Sequence, residues 1–248
     1  MRKLLFRICY DGTSYHGWQV QPNGISVQET IQDALEKLFL KREAICGCSR
    51  TDAGVHANEY FFHMVTENQM DTDKIRYALN RSFLPKDIVV LDITQVQDDF
   101  HARYSAIGKE YCYNIWNDIC PSPFFRNYSW WYRPKLSVSK MKEAVPYLLG
   151  RKDFSSFCAS GSSVNDHVRE LYDIDINRDG AKIVFRIKGD GFLYNMVRIL
   201  VGTFVDISEG RINPDDLSDI IKACDRSLAG ATAPPQGLFL NRVFYSQF

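Results

Sequence analysis

An α+β fold made of two β-α-β-β-α-β halves is the architecture this sequence predicts, and three observations predict it. Short stretches that alternate apolar and polar residues sit beside stretches with an apolar stripe every three or four residues. In the first hundred residues their order is strand, helix, strand, strand, helix, strand, the split unit of ferredoxin-like (RRM-like) domains. Beyond that the same order returns loosely, with no sequence identity between the two halves. The halves are assigned as 1–105 and 106–248.

Leu4 to Tyr10 is the first strand, with Leu4, Phe6 and Ile8 on one face. Asp11-Gly12-Thr13-Ser14 is a turn, and Tyr15 to Asn23 is an aromatic, polar loop. Ser26 and Glu29 form a capping box for a helix whose stripe is Val27, Ile31, Ala34, Leu35, Leu38 and Phe39. One strand then ends near Cys48 and another spans about Glu59 to Thr66. Asp71 caps a second helix with Ile75, Ala78 and Leu79 inward, and Pro85 closes it. Ile88 to Val96 is the last strand of this half.

In the second half, Glu110 to Trp116 alternates as a strand, and Trp130-Trp131-Tyr132 is strand-like. Val138, Met141, Val145, Leu148 and Leu149 share a helix that Ser137 caps and Gly150 ends, with Pro146 as a possible break. Val168 to Ile176 and Lys182 to Lys188 pair as strands around the turn Asn177-Arg178-Asp179-Gly180. Leu193 to Ser208 is a helix apolar enough to be buried. Asn213-Pro214 starts another, with Leu217, Ile220 and Ile221 inward, and Leu238 to Tyr245 is the final strand.

Composition is that of an ordinary globular protein, 45% hydrophobic and 24% charged. No apolar run approaches the ~18 residues of a membrane span. Arg7 interrupts the start before a signal-peptide core can form. A cytoplasmic protein without a membrane partner is expected. The seven cysteines are scattered without a Cys-x-x-Cys pair, which indicates reduced thiols and neither a disulfide framework nor a zinc site. Thirty basic and thirty acidic residues give zero net charge. Alone, that argues mildly against a nucleic-acid partner, but phosphate contacts need only a local basic patch. Candidates for it are Arg50, Arg81, Arg103, Lys109, Arg126, Arg133, Arg198 and Arg242.

Between the second and third strands lies Cys48-Ser49-Arg50-Thr51-Asp52-Ala53-Gly54-Val55-His56-Ala57. A hairpin connection with incidental charges would account for Asp52 and Gly54. The segment is longer than a hairpin needs, however. It holds an acid, a nearby base, a glycine where backbone can pass close to a ligand, and a histidine four residues past the acid. Arg50 to Ala57 resembles the signature of the TruA family of tRNA pseudouridine synthases. The family usually has glycine before the arginine, where this chain has Ser49. If that position needs a positive φ, Ser49 is mildly strained.

The resemblance extends along nearly the whole chain. Tyr10-Asp11-Gly12-Thr13 with Gly17-Trp18-Gln19 is similar to the family's opening. Leu79-Asn80 with Leu84 to Ile88, and Phe100-His101-Ala102-Arg103 through Lys109 to Tyr113, are similar to its middle. Asn195-Met196-Val197-Arg198 with Val201-Gly202-Thr203, and Thr232-Ala233-Pro234 with Gly237 to Leu240, are similar to its later segments. It implies a homodimer whose two halves build one largely antiparallel sheet per subunit, flanked by helices. The implied substrate is the tRNA anticodon stem-loop, at positions 38 to 40. Forming pseudouridine breaks the N1–C1′ bond and rejoins the ring through C5, with no redox change and no group brought in, so no cofactor is expected.

Four residues carry the expected chemistry. Asp52, taken alone, reads as an Asx turn; the resemblance implies the catalytic nucleophile. Arg198 sits among Met196, Val197, Ile199 and Leu200, where a charge is either snorkelling or paired. The resemblance supplies Asp52 as the partner, which puts the active-site cleft between the halves. Tyr111 is by itself a strand residue; the resemblance implies that it packs on the target base. Arg50 is by default a surface residue; the resemblance implies that it holds the nucleotide out of the stack. His56 and Asp52 together are too few to ligate a metal, and no metal is expected. Two other readings stay open: a non-catalytic RNA-binding protein with two RRM-like halves, and a metal-dependent phosphodiesterase using Asp52 and His56.

Overall fold

β1 (Arg2–Tyr10) is the spine of the first of two units, because its alternation buries Leu4, Phe6 and Ile8 completely on one face. It pairs antiparallel with β3 (His56–Thr66) on one edge and with β4 (Ile88–Val96) on the other. β2 (Ile45–Gly47) adds antiparallel to the far end of β3, from Ile45 opposite Met64 to Gly47 opposite Phe62. β10 (Leu238–Tyr245) adds parallel to the near end of β3, with Phe239 opposite His56. The core holds the stacked rings of Phe6 and Phe62, 4.6 Å apart. It also holds Val27, Ile31, Ala34 and Leu35 of α1 (Val27–Phe39) and Ile75 of α2 (Thr72–Ala78). The structure, a computed structural model, describes residues 1–162 and 164–246. The units are Met1–Ile107 with the C-terminal segment from Phe239, and Gly108–Leu238.

In the second unit β5 (Ala106–Trp116) pairs antiparallel with β9 (Lys182–Gly189). β9 pairs with β8 (Val168–Asp179), and β8 with β7 (Gly150–Asp153), all antiparallel. β6 (Trp130–Trp131) runs parallel to the end of β5. Tyr113, Ile115, Ile183, Phe185 and Ile187 are fully buried. α4 (Met196–Ser208) supplies Leu200, Val201 and Phe204 to this core, and α3 (Val138–Leu148) supplies Met141 and Ala144. α5 (Leu217–Ala223) buries Leu217, Ile220 and Ile221. The expected class, α+β with mostly antiparallel pairing and flanking helices, holds in each unit. No helix among the described residues is long and apolar enough to cross a membrane.

Several boundaries differ from expectation for local reasons. β3 starts at His56, so the histidine belongs to the strand and not to the loop. The second helix runs on through a π-helical turn, Leu79–Phe83, before Leu84 becomes extended ahead of Pro85. Asn80 there bonds both the N–H and the C=O of Val90, at 2.8 Å each, tying that turn to β4. β8 continues through Asn177 and Arg178 to Asp179, which pairs with Lys182, so the hairpin turns at Gly180 and Ala181. The irregular register between Leu171 and Asp173 is where the pairing shifts. Pro146 does not break α3, which ends two residues later. Gly150 begins a strand as well as ending a helix, and that strand was not expected. Leu193 and Tyr194 precede α4, whose N-cap is Asn195 at φ 59°. Asn213-Pro214 opens a single 3₁₀ turn, Pro214–Asp216, and α5 follows it.

Candidate active site

The loop from Cys48 to Val55 leaves β2 and returns to β3, and both backbone and side-chain contacts from neighbouring segments hold it. Trp18 N–H donates to the Thr51 carbonyl at 3.2 Å, and Gly54 N–H donates to the Tyr15 carbonyl at 3.1 Å. The hydroxyls of Tyr10 and Thr51 are hydrogen-bonded at 2.9 Å. Val55 N–H donates to the Asp52 carbonyl at 3.1 Å, and Gly54 takes φ 76°, which makes Asp52 the first residue of a tight turn. The Tyr60 hydroxyl donates to the Ser49 carbonyl. Ser49 is not among the residues with positive φ, so serine fits where glycine was expected.

Two glycines decide how close the preceding loop lies. A Cβ at Gly12 would stand 2.0 Å from the Val55 carbonyl oxygen. A Cβ at Gly17 (φ +81°) would stand 2.2 Å from the Thr51 carbonyl oxygen and 3.0 Å from the Asp52 carbonyl carbon. Both residues were visible in the sequence as part of the opening motif, but nothing there says what they approach. His56 fastens the other end of the loop. It is buried, its Nδ1 accepts the Gly12 N–H at 3.0 Å, and its ring stacks on Phe239 at 4.6 Å. That contact gives His56 a structural part. On this frame Asp52 is half-buried and Arg50 is exposed.

The second unit holds Tyr111 and Arg198. Tyr111 is buried on β5, and its ring meets Phe192 edge-on at 5.0 Å. Phe192 lies just ahead of α4, and Arg198 is the third residue of that helix. Arg198 is bound to Ala233 at two points: Nε donates to the Ala233 carbonyl at 2.7 Å, and Ala233 N–H donates to the Arg198 carbonyl at 3.1 Å. Arg198 Nη1 donates to Asn195 Oδ1 at 2.6 Å. Gly202 makes this possible, since a Cβ there would fall 1.7 Å from the Ala231 carbonyl oxygen. The neighbouring Tyr113 hydroxyl donates to the Pro234 carbonyl at 2.7 Å, and burial pushes its pKa upward against the pull of Arg198. So two neutral acceptors, Asn195 at the N-cap and Ala233 in an irregular segment, hold Arg198 at the start of a buried helix. Simple snorkelling does not describe it.

Among the described residues, Cys46, His63 and His101 form a group whose candidate ligand atoms lie within 4.8 Å of one another. It includes neither Asp52 nor His56. His63 Nδ1 accepts the Ala102 N–H at 3.1 Å, and His101 Nδ1 accepts those of Arg103 and Tyr104 at 3.1 and 3.3 Å. Each neutral ring therefore carries its proton on Nε2, and His101 Nε2 faces Cys46 Sγ at 3.5 Å. A ligand nitrogen needs the opposite arrangement, with the lone pair toward the metal and the other nitrogen donating. The group fits a donor–acceptor latch for the segment after β4 better than a cation. Burial, then His101 and Lys3, pushes the His63 pKa down to about 4.

Comparison with known proteins agrees along the chain. A family model described as tRNA pseudouridine synthase matches residues 8–105 and 144–246. A tRNA pseudouridine synthase A of Thermoanaerobacter sp. (strain X514) is 46% identical over 245 residues, covering 99% of this chain and 100% of the relative. Proteins of the same name from Ruminiclostridium cellulolyticum and Geobacillus kaustophilus are 45% and 42% identical, covering 99% and 96% of this chain and 100% and 92% of the relatives. A solved chain from a Cbf5-Nop10-Gar1 complex aligns with 99% of this chain and 60% of its own length, at 12% identity and TM-score 0.37, too distant to argue from.

Proposed function

The chain belongs to the tRNA pseudouridine synthase family, and from that membership we propose that Asp52 is its nucleophile, with Arg198, Tyr111 and Arg50 serving the same uridine. The enzyme is an RNA isomerase, and its product has the same atoms as its substrate. The C1′–N1 bond breaks, the C1′–C5 bond forms, the proton on C5 leaves, and N1 gains one. A carboxylate at the ribose can carry this chemistry without a cofactor. The observation that most supports Asp52 is its frame. Backbone contacts from Tyr15 and Trp18, with Gly12 and Gly17 admitting close approach, fix the loop around Asp52, a half-buried residue. A reacting group needs that fixity, and an incidental surface acid does not.

In this reading Arg198 is the counter-ion of Asp52, Tyr111 stacks on the uracil, and exposed Arg50 keeps the nucleotide out of its stack. The proposed division of labour is a half 1–105 carrying the aspartate and a half 106–248 carrying the tyrosine and arginine. We further propose a cytoplasmic homodimer that acts at positions 38 to 40 of the anticodon stem-loop. Asp52→Asn keeps shape and polarity but removes the charge. The expected result is tRNA binding close to wild type with no pseudouridine formed, because the lost interaction belongs to the chemical step. Appreciable product from the pure variant would remove Asp52 from this role.

A further inference from the structure

We propose that Asn195 is a positioning residue for Arg198, orienting the guanidinium through its amide oxygen; this rests on the reading of Arg198 as the partner of Asp52. Asn195 occupies the N-cap of α4, where an asparagine side chain usually accepts a backbone N–H two or three residues on. Here it makes no such bond. Its backbone lies in the left-handed region, φ 59° and ψ 8°, instead of the extended conformation usual at an N-cap. The αL backbone directs Oδ1 to Arg198 Nη1, 2.6 Å away. The cap contact is therefore given up for a contact with a side chain.

The second hold on the guanidinium is the Ala233 carbonyl, 2.7 Å from Nε, and Ala233 is itself fixed by the Arg198 carbonyl. Two donors at different corners of a planar group, bound to acceptors on different segments, set both its position and the tilt of its plane. Both acceptors are neutral, so these two contacts orient the arginine without cancelling its charge. A carboxylate at position 195 would hold the same geometry and neutralise the group it holds. That separates orientation from charge experimentally.

Three variants test this by single-turnover rates across pH and by tRNA affinity. Asn195→Gly accepts the same φ and loses the whole side chain, amide included. Its rate should fall roughly tenfold, about 1.4 kcal/mol, with affinity within about twofold of wild type. Asn195→Asp keeps an acceptor and the αL backbone. It should keep more rate at high pH but move the acid limb of its profile upward, because the arginine then serves two carboxylates. In an Arg198→Met background, Asn195→Gly should cost nothing further. The proposal is overturned by a wild-type rate for Asn195→Gly, or by the same tenfold loss with Arg198 absent. In the latter case Asn195 acts elsewhere while the role of Arg198 stands. A wild-type rate for Arg198→Met alone would instead sink the underlying reading of Arg198. A purely structural Asn195 predicts lower thermal stability in both variants with unmoved acid limbs.

Discussion

Gly17→Ala tests whether the loop before α1 sets the position of Asp52. The added Cβ would begin 2.2 Å from the Thr51 carbonyl oxygen, and an ordinary carbon–oxygen contact is about 3.3 Å. The Thr51–Asp52 peptide would have to retreat by about 1 Å, which also stretches the 3.2 Å bond from Trp18 N–H. Alanine at φ +81° adds about 1–2 kcal/mol of backbone strain, and the weakened hydrogen bond adds about 1 kcal/mol. Chemical denaturation should therefore show a loss of about 2–3 kcal/mol. A shift of about 1 Å at a reacting group costs on the order of a hundredfold in rate, so single-turnover pseudouridine formation should fall by that much. Binding of tRNA should hold. The control is Gly210→Ala, at φ +76° with nothing within 4 Å of the new Cβ, which should show the strain and keep the rate. Equal rates for the two variants would refute the idea that Gly17 fixes the loop around Asp52.

Three further outcomes are expected. Below an unfolded-state pKa of about 6.5 the unfolded chain protonates His63, while the folded chain resists until about pH 4. Stability should therefore decline as pH falls through that window, by at most about 3 kcal/mol from this residue. His63→Asn keeps an acceptor for the Ala102 N–H and should flatten the decline, and identical pH curves for the two proteins would rule the assignment out. Tyr111→Phe should retain more activity than Tyr111→Leu by about 1–3 kcal/mol if the ring stacks on the base, and equal activities would leave Tyr111 a strand residue. Arg198→Met should move the acid limb to higher pH with little change in tRNA affinity. A plain phosphate contact would instead leave the limb in place and make the log–log salt slope shallower by ~0.7–0.9.

Much of this protein was legible in its sequence because the signals are local. Alternation in Leu4 to Tyr10, the stripe from Val27 to Leu35 and the caps at Ser26 and Asp71 depend on near neighbours, and the structure places each accordingly. The Arg50-Thr51-Asp52 segment was identified by its residues. Other features depend on what comes close from far along the chain. Gly12 and Gly17 look like ordinary turn glycines until the Val55 and Thr51 carbonyls are found where their side chains would be. Asn195 looks like a cap until its amide is found on Arg198. The C-terminal strand gives no sign that it will lie parallel to the start of β3, with Phe239 against His56. Close packing is a property of pairs of segments. The sequence determined which elements form and which family the chain belongs to, and only the tertiary structure decided which distant segments hold the candidate residues in place.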